Sequence, residues 1–134
     1  MNIIRSKKVL IDSNFLLGAV EQGKDALAMI DEVLDVVLPK TLLENIMDEL
    51  RGLTQLSGRK GRAARKALEM AVGMEVLPRV PVSSPDEAIV KLSEKGGFIV
   101  ATNDSALRRE LRARGVPVIY FKDGYLSVEG YVAI

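Results

Sequence analysis

The 134-residue chain contains no cysteine and no histidine. The first absence excludes disulfides, thiolate zinc sites and a cysteine nucleophile. With both missing, acid–base or metal chemistry must use carboxylates, amides, hydroxyls, lysine or water. No run of about 18 or more apolar residues occurs, so no membrane span is expected. Arg5, Lys7 and Lys8 make the start of the chain basic, but the apolar run after them is cut at Asp12 and no small-residue cleavage site follows. That is not the pattern of a signal peptide, and the protein is read as cytoplasmic.

Apolar residues make up 48% and charged residues 28% of the chain, the balance of a globular protein with a real core, read here as one domain over 1–134. The net charge of +1 is uninformative, but its distribution is not. Arg51, Arg59, Lys60, Arg62, Arg65 and Lys66 follow one another with no acid between them, while acids gather in 31–35 and 44–49. Such an asymmetry is either a solvated helix face or a surface for a polyanion.

Strand and helix signals alternate along the chain. "KVLID" (8–12) has the form of a short buried strand, and 14–35 carries apolar residues at helical spacing interrupted at Gly23. "VVL" (36–38) before Pro39 is the next strand candidate. In "TLLENIMDELRGL" (41–53), Thr41 and Glu44 fit a capping box. Gly58 and Gly61 mark a break before a basic helix over 62–72, and "EVLP" (75–78) follows as a third strand. From 84 to 97 the helix grammar is complete: Ser84 as cap, Pro85 in the first turn, Glu87 as the reciprocal partner, Gly96 and Gly97 at the end. "FIVATND", an amphipathic helix closed by Gly115, "VPVIYF" and a hairpin around Asp123-Gly124 complete the chain. The alternation predicts an α/β fold, three-layer α/β/α with a mostly parallel sheet.

In such a sheet, functional groups collect beyond the C-terminal strand ends, where strand order reverses. Asp12 and Asp104 stand at two such ends. Asp86 lies in the first turn of the helix leading to the second, and Glu49 borders the apolar face of the helix that contains Ile46 and Leu50. Each has a plainer role available: a turn for Asp12, a helix-dipole contact for Asp86, a surface acid for Glu49, a helix cap for Asn103 and Asp104. Taken together, four carboxylates at one edge repel one another unless a cation neutralises them. Oxygen-only donors, with Asp12, Asp86 and Asp104 as ligands, suit Mg²⁺ or Mn²⁺, and the chemistry natural to such a centre is phosphodiester hydrolysis by water.

The segments "VLIDSNFLL", "IMDELRGL" and "PDEAIVKLSEKGGFIVATNDSALRRELRARGVPVIYF" resemble PIN-domain ribonucleases over nearly the whole chain, on the archaeal branch related to rRNA-processing PIN nucleases and VapC-like toxins. The resemblance implies a five-stranded sheet of order 3-2-1-4-5. It assigns the four acids to Asp12, Glu49, Asp86 and Asp104, with Asp86 preferred over its neighbour Glu87. Asn14 and Thr102 take supporting roles, and Asn103 joins them from the same strand end. RNA is the implied substrate, and a homodimer, an antitoxin or a ribosome-assembly factor the implied partners. The basic residues of 51–66 would then neutralise RNA phosphates near the acids. With three tyrosines and three phenylalanines in the chain, base stacking is a minor resource.

Two rivals follow from the same residues. One is a PIN scaffold that holds RNA or a protein and cuts slowly or not at all. The other is a phosphoacceptor domain of receiver or haloacid-dehalogenase type, which Asn14 weakens by standing where a second acid is wanted.

Overall fold

The computed structural model describes residues 7–130, so Arg5 of the basic N-terminus lies outside the described residues. Six strands form one sheet in the order β3-β2-β1-β4-β5-β6. They are β1 (Lys8–Ile11), β2 (Lys40–Leu43), β3 (Glu75–Leu77), β4 (Phe98–Ala101), β5 (Val118–Lys122) and β6 (Tyr125–Glu129). The first five run parallel and β6 returns antiparallel to β5. Six helices connect them: α1 (Ser13–Glu21), α2 (Ala26–Leu34), α3 (Glu44–Leu53), α4 (Gly58–Ala71), α5 (Pro85–Ser93) and α6 (Ser105–Ala113).

The central strands are apolar because both faces of the sheet are covered. Val9, Leu10, Ile11, Ile99, Val100 and Ala101 are fully buried, as parallel strands between helical layers require. Right-handed crossovers put α1–α4 on one face and α5–α6 on the other, and α1 packs on α4 as α5 packs on α6. Phe15 of α1 stacks on Phe121 of β5 with ring centroids 4.9 Å apart. No helix among the described residues is long and apolar enough to cross a membrane.

Three sequence expectations are corrected. The second strand follows Pro39 instead of preceding it. Asp35 ends α2 in the left-handed region (φ 55°) and Val37 is 77% exposed, so 36–38 is a connection. Proline fits at the entry to a strand, where its missing N–H breaks no ladder bond and its carbonyl still accepts from Val9 N at 2.8 Å. Thr41 therefore belongs to β2. Its hydroxyl is buried and donates to Val9 O at 2.9 Å, leaving Leu43 at the start of α3 without a side-chain cap. Gly61 is not a break but lies inside α4, where a Cβ would stand 1.9 Å from Leu56 O.

The sheet also has six strands, one more than the order 3-2-1-4-5 contains. Asp123 and Gly124, with φ of 53° and 82°, form the tight turn that lets β6 pair along β5. In α5, Ser84 Oγ accepts from Glu87 N at 3.2 Å as the cap pattern requires. The Glu87 carboxylate, however, takes the Ser83 hydroxyl instead of the backbone.

Candidate active site

The chain leaves β1, builds β2 and β3 on one side, then returns to lay β4 on the other side of β1. The order reverses between β1 and β4, and both strands deliver their polar ends there. Asp12 N donates to Ala101 O at 2.9 Å, which fixes the two strand ends side by side.

Asp12 is only 3% exposed and caps α1. One carboxylate oxygen accepts from Ser13 N at 2.8 Å, the other from the Thr102 hydroxyl at 2.7 Å. Burial drives its pKa up to about 6. The Thr102 hydrogen bond opposes that rise, the charge of Asp86 adds to it, the Ser13 amide opposes it, and Glu49 adds again. Thr102 is itself fully buried and accepts from Asp104 N at 3.1 Å. A single hydroxyl thus ties the first acid to the loop bearing the fourth.

Asp104 caps α6, with one oxygen accepting from Ala106 N (2.9 Å) and Leu107 N (3.1 Å). The plain capping role and a place in the acidic edge coexist in this residue. Asp86 sits in the first turn of α5, and among the described residues its carboxylate takes no protein hydrogen bond. Its pKa is raised by partial burial first, then by the charges of Asp104, Glu49 and Glu110. Glu49 enters from α3, which contacts α5, and accepts the Ser13 hydroxyl.

The charges of Asp86 and Glu49 reach Asp12 and those of Asp104 and Glu49 reach Asp86, whereas Glu87 accepts the Ser83 hydroxyl. Asn14 and Asn103 form the lateral brace: Asn14 Oδ1 accepts from Asn103 N at 3.1 Å, and Asn103 Oδ1 accepts from Phe121 N at 3.2 Å, linking α1, β4 and β5. Sequence reading missed Ser13. Its signal was adjacency to Asp12 at the first position of a helix, but nothing along the chain pairs it with a residue 36 positions away.

Among the described residues no three acidic side chains are already closed around a cation position. The case for a metal rests on donor chemistry and charge. The donors are all oxygen, the pKa values of Asp12 and Asp86 are raised by burial first and then by neighbouring carboxylates, and a divalent ion would offset that repulsion. The donor chemistry suits a hard divalent cation.

The basic residues divide. Arg51 is taken up by Glu44 (2.7 Å) and Asp48 (3.2 Å), and Arg65 donates to Thr54 O at 3.1 Å. Arg59, Lys60, Arg62 and Lys66 are exposed on α4 and enter no ion pair among the described residues. Arg59, Arg62 and Lys66 line a hollow with Val20 and Glu21, at the C-terminal end of α1. That is one helix length, about 13 Å, from the end that carries Asp12.

The chain is a doubly wound α/β domain whose acidic side chains gather at the switch point, where such sheets bind their ligands. The profile of the PIN-like domain family matches residues 9–123, and the chain belongs to that family. It is 31% identical over 127 residues to ribonuclease VapC9 of Archaeoglobus fulgidus, covering 89% of this chain and 88% of that one. Among solved structures it is similar to the PIN domain endonuclease Utp24, with a TM-score of 0.79 and 26% identity over 95% of this chain and 94% of the other. A domain from Methanocaldococcus jannaschii of unknown function shares the fold, at TM-score 0.60 and 17% identity over 96% and 98% of the two chains.

Proposed function

We propose that this chain is an endoribonuclease that hydrolyses RNA phosphodiester bonds with Mg²⁺ or Mn²⁺ bound by Asp12, Asp86 and Asp104. One observation carries the reading: Asp12 is buried at the β1/β4 switch point, its pKa raised first by that burial and further by the charges of Asp86 and Glu49. Carboxylates held together against their own repulsion mark a site made for positive charge. The similarity to a protein named a ribonuclease and to a PIN domain endonuclease supports RNA as the substrate.

When bound, the ion would supply Lewis acidity toward a phosphate oxygen and a more acidic water. The chain's own residues do the positioning. Thr102 holds Asp12 ionised and oriented, Ser13 draws Glu49 against the same helix end, and the Asn14–Asn103 brace keeps β1 and β4 in register. Glu49, exposed to solvent and held by Ser13 through one carboxylate oxygen, keeps its other oxygen to take a proton from an attacking water. The exposed cations of α4 would hold the RNA strand leading away from the acids.

The likeness to VapC-like toxins and rRNA-processing nucleases gives two settings in the cytoplasm, an antitoxin-bound toxin or a ribosome-assembly enzyme. The test is cleavage of a single-stranded RNA in Mn²⁺ by the parent chain and by Asp12→Asn. Cleavage by the parent and its loss by orders of magnitude in the variant supports the reading. Equal activity in both removes the site, and no cleavage in either turns the reading to an RNA- or protein-holding scaffold.

A further inference from the structure

Thr102 and Asn103 have a second face. They form one wall of a cavity of about 420 Å³ closed by Ser105, Arg108, Lys122 and Glu129, between the start of α6 and the β5–β6 hairpin. Its defining feature is Arg108, whose guanidinium carbon lies 3.9 Å from the centroid of the Tyr120 ring. This cation–π contact holds the guanidinium over the ring face. The pairing with Glu129 is long, 3.8 Å, and leaves the N–H edges of Arg108 largely unspent. Lys122 is exposed at the end of β5 on the same cavity. Two cations, one preoriented, thus stand behind the wall whose other side holds the Asp12 carboxylate.

We propose that this cavity is a nucleotide subsite of the same centre. It takes the RNA nucleotide flanking the scissile phosphate, with Arg108 and Lys122 on that nucleotide's phosphate and Glu129 accepting from a ribose hydroxyl or a base N–H. The inference rests on the ribonuclease reading for the identity of its ligand, but its chemistry is its own. An acidic centre repels the backbone it must cut, so a strand can be held beside it only where cations adjoin. The cations of α4 stand at the far end of α1, whereas Arg108 and Lys122 share a wall with the site itself. The planar guanidinium suits bidentate contact with phosphate oxygens. Ser105 supplies a hydroxyl at the same rim.

The test is fluorescence anisotropy of a short fluorescein-labelled oligouridylate with the full chain in EDTA, over a series of KCl concentrations, for the parent, Arg108→Ala, Arg108→Lys and Lys122→Ala. Lys122 is an exposed strand position, so its truncation leaves packing intact and reports binding even where loss of Arg108 perturbs the Tyr120 stack. Arg108→Ala and Lys122→Ala should each weaken binding about tenfold and reduce the slope of log K against log salt by about 0.7. Arg108→Lys should keep the slope and lose part of the affinity, because charge stays and the fork goes. Unchanged affinity and slope in both alanine variants overturns the subsite. If the parent meanwhile cuts RNA in Mn²⁺, the nuclease reading survives that result. A chain that binds the oligonucleotide through Arg108 and Lys122 yet never cuts retains the subsite and loses the nuclease.

Discussion

The Thr102 hydroxyl donates to Asp12 Oδ2 at 2.7 Å across 90 residues of sequence. It is the contact that most strongly counters burial in setting the charge of Asp12. The same oxygen accepts from Asp104 N at 3.1 Å. Thr102→Val keeps the side-chain shape, removes both bonds and leaves a buried Asp12 oxygen and a half-buried Asp104 N–H without that partner. Its stability should fall by about 1–3 kcal/mol. Cleavage should fall at least tenfold near neutral pH, and the rising limb of the rate–pH profile should move to higher pH as Asp12 becomes harder to ionise. An unmoved profile would show that the hydroxyl only packs.

Asp12→Asn should stabilise the metal-free protein, and more so at higher pH. The folded-state pKa is raised from 3.8 to about 6, so charging Asp12 opposes folding. The penalty is absent below about pH 4, grows between about 4 and 6, and is complete above, at roughly 3 kcal/mol for a shift of that size. Asparagine avoids it, and replacing the neutral carboxyl by an amide costs about 1 kcal/mol through hydrogen-bond mismatch rather than charge. Thermal melts in EDTA at pH 4 and pH 8 separate the two. The variant's advantage should be larger at pH 8, and an advantage that does not change with pH would contradict the assigned burial.

Asp86→Asn should reduce cleavage by at least tenfold, whereas Glu87→Gln should leave it within about twofold. Asp86 feels the charges of Asp104 and Glu49, while Glu87 receives the Ser83 hydroxyl on the turn before the helix. Steady-state rates on one RNA substrate rank the two. The reverse ranking would put the third acid one residue later.

How far such roles can be read from sequence depends on the range of the interaction. Ser84, Pro85, Gly96 and Gly97 announce α5 because caps and terminators act within one turn. Asp12 and Asp104 could be placed at strand ends because an apolar run stopping at a carboxylate is itself a local pattern, and the family resemblance supplied their adjacency. Pro39 misled because a proline after an apolar triplet reads as a strand terminator. Here it opens the strand, and the Val9 ladder, remote in sequence, decides that. Thr41 then left the helix cap for a buried bond to Val9 O. Ser13 with Glu49, and Arg108 with Tyr120, are pairs made wholly by the fold.

Reversing charge on α4 should be selective. Arg59→Glu, Arg62→Glu and Lys66→Glu each remove an exposed cation, and each should lower the salt slope of RNA binding by about 0.7. Arg51→Ala should change it little, because Glu44 and Asp48 already hold that guanidinium. Anisotropy over a KCl series measures all four. Equal slopes throughout would return the α4 face to ordinary solvated surface.

Mn²⁺ should stabilise the protein through the same acids that would cut. A ligand at 100 times its Kd adds about 2.7 kcal/mol to the folded state, a rise in Tm on the order of 10 °C for a domain of this size. Asp12→Asn and Asp104→Asn should abolish that rise, and Glu87→Gln should retain it. Because the pKa of Asp12 is held near 6 in the metal-free chain, binding must displace a proton from part of the population at acid pH. The shift should therefore shrink from pH 8 to about pH 5. A rise of the same size in Asp12→Asn would mean that the ion sits elsewhere, and the acidic edge between β1 and β4 would lose its claim to it.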